Sequence, residues 1–273
     1  MKSLLCNGAI DIGNAGPDFR FGFGQMNLLR SVTMLENTNY FNASVISGAA
    51  NTHTVTIPGG SNIAQLKVML YWNDSAAAAL AATALVNDLD LQVTDPLAVV
   101  HLPQILNTNP PNVTDPVTSG ADHINNIEQV VINNPATGTY TFSINGTTIP
   151  SGTNHEYFLV FDTIPVSTTL TYPLGGEHLK SADVIRISWD SYGNPANTFT
   201  LQYSVDNGAI WLPVTGGTNV AATLRLLTWT IPAVAATSQA KVKIIHNGTG
   251  LESISEPFTI AGVPQIALAA VQC

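Results

Sequence analysis

The chain has 273 residues, of which 45% are apolar and only 10% charged, and its formal net charge is -9 at pH 7. That length gives room for about two domains, and the apolar fraction is too high for a disordered chain. The negative balance argues against a nucleic-acid partner, because no basic stripe is present to displace phosphate counterions. It also argues against anionic membrane surfaces and fits a protein that holds cations.

Two cysteines, Cys6 and Cys273, make no disulfide framework, so the folds must stand on their cores. Met1–Leu5 is too short for the apolar part of a secretory signal, and no apolar run is long enough for a membrane span.

In chain order, residues 2–9 (KSLLCNGA) read as the end of a helix, followed by a Gly- and Phe-rich loop over residues 16–27 (GPDFRFGFGQMN). After Arg30 the helical period disappears. Residues 52–58 alternate as a half-buried strand does, and residues 63–72 put Leu66, Val68, Leu70 and Trp72 on one face. The alanine-rich run 76–84 is open to either a short helix or a loop. Residues 85–93 (LVNDLDLQV) read as a strand with Leu85, Leu89, Leu91 and Val93 on one face and Asp88, Asp90 and Gln92 on the other. Residues 101–120 are loop, and 128–133, 138–145 and 156–162 are further strands. Many short strands separated by turn residues predict a sandwich or jelly roll.

A boundary follows at residues 164–167. The next block carries strands at 183–189, 197–205, 210–213, 226–231, 240–246 and 256–260, the pattern of an immunoglobulin- or fibronectin-like sandwich. Trp189 and Trp229 are its expected core aromatics, and Asp206-Asn207-Gly208 is its expected hairpin turn. Tyr192 and Trp211 could stack on a sugar ring or peptide, although alternation favours the core for both. The sequons at Asn42, Asn112, Asn145 and Asn247 carry little weight in an Asn- and Thr-rich chain.

Three phrases in order carry a resemblance. Residues 2–27 resemble the closing segment of the subtilisin-like serine protease domain, in which the nucleophile helix ends and a loop leads out. Residues 85–93, followed by 122–130 (DHINNIEQV) and 134–141 (NPATGTYT), resemble the β-jelly-roll domain of the KP-43-like branch of those proteases. Residues 183–232 resemble the fibronectin-like accessory modules of secreted bacterial enzymes. The resemblance covers roughly the first 165 residues, and the third block more loosely.

It implies a mainly β chain: a short helix remnant of the catalytic domain (1–30), a jelly roll (31–165), an immunoglobulin/fibronectin-like sandwich (166–262) and a cut linker (263–273). It implies a secreted, extracellular parent endopeptidase acting on protein substrates by Ser-His-Asp acyl transfer. The partner in cis is then a catalytic domain outside this chain, and residues 1–30 should be poorly ordered without it. This chain lacks the triad motifs, so no catalytic residue is expected in it. An alternative from another class is a non-catalytic module that binds carbohydrate or protein.

Asp88 and Asp90 project from one strand face and repel, a strain that a hard cation would relieve. Calcium takes six to eight oxygen ligands, and Asp122, Asn125, Asn126 and Glu128 are the right residue types. The resemblance implies structural calcium, with Asp88, Asp90, Asp122, Asn125 and Glu128 as the expected ligands. The bland reading leaves the aspartates solvated and Asn125-Asn126 as a turn. His123 reads as a loop residue, since calcium prefers oxygen and no Cys/His cluster suggests zinc.

Overall fold

The computed structural model describes residues 1–150, 154–194 and 196–262. The chain is mainly β and divides into two compact units that meet between Pro165 and Val166. The first unit opens with α1 (Lys2–Asn7) and α2 (Leu28–Glu36). Its strands are β1 (Tyr40–Val45), β2 (Ala50–Ile57), β3 (Ile63–Trp72), β4 (Asp88–Thr94), β5 (Val100–His101), β6 (Gln104–Ile105), β7 (Thr118–Ser119), β8 (Ile127–Asn133), β9 (Gly138–Thr148) and β10 (His155–Pro165). Two four-stranded sheets form, in the orders β1-β10-β3-β8 and β2-β9-β4-β5, with every pair antiparallel. Pairing β1 with β10, β2 with β9, β3 with β8 and β4 with β5 is a long antiparallel ribbon wrapped on itself, which is a jelly roll.

Alternation explains the core. Leu66, Val68, Leu70 and Trp72 of β3 meet Leu89, Leu91 and Val93 of β4 inside the sandwich. The other face of β3 is also covered: Lys67 and Met69 are buried where α1 packs on β3 and β10. The strand is therefore buried on both faces, which its alternating sequence does not announce.

Helical structure does not end at Arg30. Asn27 accepts the Arg30 N–H through its side chain (3.0 Å) and starts α2, which continues to Glu36. The buried positions of α2 are Ser31 and Met34, so a serine in the inward stripe hides the helical period. Residues 76–84 resolve as irregular chain. The Asp74 carboxylate pins both ends of that excursion, accepting the N–H groups of Ser75, Val86 and Asn87 and the Asn87 side-chain amide. The region 101–120 read as pure loop contains β6, β7 and a 3-10 turn at Asn112–Thr114.

Residues 1–30 have a seat on this unit. Asn7 is fully buried; its Nδ2 donates to the Lys67 carbonyl (3.3 Å) and its Oδ1 accepts from Gln129 Nε2 (3.0 Å). Lys67 Nζ donates to the Ala9 carbonyl (3.0 Å), and burial pushes that ammonium down to about 8. Polar side chains on the outer face of β3 and β8 thus seat Asn7 and Ala9, in a segment expected to be poorly ordered without a further domain. Gly24 takes φ +105°, and a Cβ there would run into the Ile10 carbonyl, where the loop bridges back to Ile10.

The second unit contains β11 (Ser167–Tyr172), β12 (His178–Lys180), β13 (Val184–Tyr192), β14 (Thr198–Ser204), β15 (Leu212–Pro213), β16 (Val220–Ala221), β17 (Leu226–Thr230), β18 (Thr237–His246), β19 (Glu252–Ile254) and β20 (Phe258–Ala261). One sheet runs β11-β13-β17 and the other β12-β20-β18-β14-β15, with β12 parallel to β20. Three strands facing a longer sheet around Trp189, Trp229 and Phe199 make an immunoglobulin/fibronectin-like sandwich. Both tryptophans are 1% exposed, as their alternation predicts. Asn207 and Gly208 turn with φ 60° and 91°. The strand expected at 210–213 is only Leu212–Pro213. The linker expected at residues 263–273 lies outside the described residues, as does Cys273.

Candidate metal centre

The acidic site lies on β4 and around its open edge. Leu89, Leu91 and Val93 fill the core, so Asp88 and Asp90 share the opposite face, as alternation requires. β9 runs alongside, with Asp90 opposite Asn145 and Asp88 opposite Thr148 across a bulge. The Thr147 hydroxyl donates to Asp90 Oδ2. Asp88 Oδ1 and Asp90 Oδ1 are both sealed from solvent without a hydrogen-bond partner. Burial pushes the Asp88 carboxyl up; the His123 charge opposes that and Asp90 adds to it.

β5 pairs with β4 only at Val93 and Thr94. That leaves the Leu91 N–H on an edge without a strand partner, and Glu128 of β8 reaches it with Oε2 (2.7 Å). Glu128 is 2% exposed, and its second oxygen, Oε1, has no hydrogen-bond partner. Burial pushes this carboxyl up to about 9, and the charges of Asp90, Asp122 and Asp88 add to the rise.

The loop 120–127 supplies the rest. Asp122 is buried and shapes the loop itself: Oδ1 accepts the N–H groups of Ile124 (2.9 Å) and Asn125 (3.1 Å), and Oδ2 accepts Asn125 Nδ2 (2.8 Å). Asn126 Nδ2 donates to the Trp72 carbonyl (2.8 Å) and ties the loop to β3. Of the five expected ligands, Asp88 and Asp90 therefore stand together, Glu128 is bonded to the N–H of Leu91 next to Asp90, and Asp122 and Asn125 are turned toward each other.

His123, expected as a loop residue rather than a ligand, stands at the acidic pair. Its Nδ1 lies 2.9 Å from Asp88 Oδ2 and 3.6 Å from Asp90 Oδ1. Asp88, Asp90 and His123 offer ligand atoms within 4.8 Å of one another, the one such group of His, Cys, Asp and Glu among the described residues. No local pattern could have found it, because loop wrapping rather than spacing brings His123 to β4.

The N-terminal segment forms a second feature. While Asn7 and Ala9 are buried, Phe19, Met26, Leu28 and Leu29 are 55%, 60%, 58% and 78% exposed, and Phe21 and Val32 are also exposed. In the second unit, Lys243 Nζ sits over one face of the Trp211 ring, 4.6 Å from its centre.

No family model matches the chain, and no curated protein matches it. Among solved structures, the chain is similar to a protein from Eubacterium rectale thought to be secreted, at 9% identity and TM-score 0.28, covering 96% of this chain and 78% of that one. It is also similar to tripeptidyl peptidase 2, at 9% identity and TM-score 0.27 over 75% of this chain and 16% of that one. Fibronectin(III)-like modules of Clostridium thermocellum CbhA align at 11% identity and TM-score 0.21, over 81% of this chain and 91% of theirs. Likenesses this remote carry no argument about function, and the fold rests on the strand pairing itself. Fold and site together define the class: a two-sandwich β protein with an acidic centre on its jelly roll. Among the described residues, no helix is long and apolar enough to cross a membrane.

Proposed function

We propose that the chain is the C-terminal accessory region of a secreted subtilisin-like serine endopeptidase of the KP-43-like branch. The observation that carries this reading is the N-terminal segment, anchored inward by Asn7, Lys67 and Gln129 and apolar outward at Phe19, Met26, Leu28 and Leu29. Several large apolar side chains left exposed on one short segment fit a surface that a further domain covers. The motif resemblance names the cover: the catalytic domain whose last helix and exit loop these residues would be. In that arrangement the jelly roll braces the catalytic domain and limits local unfolding and self-digestion. Hydrolysis of protein substrates belongs to the parent's own Ser-His-Asp groups.

Calcium is part of the same reading. Asp88 Oδ1, Asp90 Oδ1 and Glu128 Oε1 are three carboxylate oxygens shut away from water without a donor, and such groups fit a hard cation. Asp88, Asp90 and Glu128 would hold it, and the charge supplied would offset both their mutual repulsion and the burial of Glu128.

The decisive experiment is to read the coding DNA on both sides of this segment. A frame that continues upstream into a Gly-Thr-Ser nucleophile motif is the expected result. A stop codon or a signal peptide directly upstream would sink the protease reading in favour of a free-standing binding module.

A further inference from the structure

We infer that His123 is a metal ligand, and that the centre on β4 takes a first-row divalent transition ion, of the Zn2+ or Co2+ type, through Asp88, Asp90 and the His123 imidazole. The inference rests on the cation reading of the same site and changes which ion it selects. All-oxygen sites suit calcium, whereas an imidazole nitrogen beside carboxylates suits zinc and its neighbours.

The geometry is the first support. An ion with four ligands at about 2.0–2.2 Å sets its donor atoms about 3.3–3.6 Å apart. His123 Nδ1 lies 2.9 Å from one aspartate oxygen and 3.6 Å from the other, on either side of that separation. Small movements of a half-exposed ring therefore complete the set without moving the strand. The exposed side of His123, whose side chain is 54% accessible, leaves room for water or an entering ion.

The second support is independent of the cluster's own hydrogen bonds. Glu128 is 98% buried, its Oε1 has no partner, and its carboxyl is placed at β4 by the Leu91 N–H, one residue from Asp90. A buried carboxylate oxygen without a donor costs free energy unless a cation or proton answers it. Asp88 Oδ1 and Asp90 Oδ1 are in the same condition. Asp88 Oδ2, Asp90 Oδ1 and His123 Nδ1 are the donor atoms that face one another, and Glu128 is held one residue along β4, at the Leu91 N–H.

The test uses the full chain after treatment with a chelator. Co2+ is titrated by visible absorption and by calorimetry, and Ca2+ by calorimetry, on the unmodified chain and on His123→Ala, Asp90→Asn and His101→Ala. His101, which pairs with Asp95, controls for adventitious histidine binding. The expected result is one equivalent of Co2+ with ligand-field bands, lost in Asp90→Asn and unchanged in His101→Ala. His123→Ala should weaken Co2+ by at least about tenfold and shift its bands while leaving Ca2+ affinity within about threefold. Calcium binding lost in Asp90→Asn, with Co2+ either unbound or indifferent to His123→Ala, would overturn the inference and leave the calcium reading standing. Failure of both ions to bind the unmodified chain would overturn both.

Discussion

Asp18, Lys67, Asp122 and Glu128 are buried in the jelly roll, whereas the buried polar residues described in the second unit are Thr168, Ser191, Ser204, Ser255 and His246. Both units are largely antiparallel sandwiches with apolar interiors, so the fold type does not demand the difference. Hydroxyls bury cheaply once bonded, as when the Ser255 hydroxyl accepts the Val242 N–H at 3.0 Å. Charges bury at a cost of several kcal/mol each unless they are paired. A unit that buries four ionisable side chains must answer each with a hydrogen bond, an opposite charge or a proton. In the jelly roll those groups do two jobs: Lys67 seats the N-terminal segment, and Glu128 closes the open edge of β4 beside the acidic pair.

The largest expected effect tests the apolar side of the contrast. Trp229→Ala removes a ring that packs against Tyr203 at 5.3 Å between centroids, and it should cost about 3–5 kcal/mol in urea unfolding. Three of the four tryptophans, Trp189, Trp211 and Trp229, lie in the second unit, so intrinsic fluorescence follows mainly that unit. A loss below about 1 kcal/mol would mean that its core repacks and the contrast is overdrawn.

A smaller effect tests the charged side. Glu128 titrates near 9 when folded and near 4.5 when unfolded, so its folded pKa is raised. Its stabilisation is then complete below pH 4.5 and is lost as pH rises toward 9. In chelator at pH 7, Glu128→Gln should stabilise the jelly roll by on the order of 3 kcal/mol and flatten that slope. His246 has the opposite sign: burial holds its pKa below 6.5, so its contribution is present above pH 6.5 and is lost as pH falls. Calorimetric scans at pH 5, 7 and 8.5 should therefore move the two units' transitions in opposite directions. Parallel movement would remove the electrostatic distinction.

The smallest effect concerns the seat of the N-terminal segment. Asn27→Ala deletes the cap on α2 and should cost about 1 kcal/mol, read as faster amide exchange over residues 28–36. Unchanged exchange there would show that docking on β3 and β10, rather than the cap, holds the helix.

Much of the fold was legible from residue alternation. The faces of β3 and β4, the two core tryptophans and the Asn207-Gly208 turn follow from period and local φ preference, and they stand where the sequence puts them. The candidate site was half legible. Asp88 and Asp90 share a face because a strand has period two, but the loop that adds His123 has no period to read. Asp122 and Asn125 have ligand chemistry in the sequence, and in the structure they bond to each other and to the Ile124 N–H within the loop.

By itself the sequence settled the local matters: which residues alternate, where turns can take positive φ, and which strand carries two carboxylates on one side. Tertiary structure alone decided that Glu128 crosses to the Leu91 N–H, that Lys67 and Asn7 are buried, and that His123 meets Asp88. The reason is physical. Strand period and turn preference act over a few neighbouring residues, whereas the wrapping of a jelly-roll ribbon joins residues tens of positions apart. Only that wrapping determines which polar groups lose water and which find a partner.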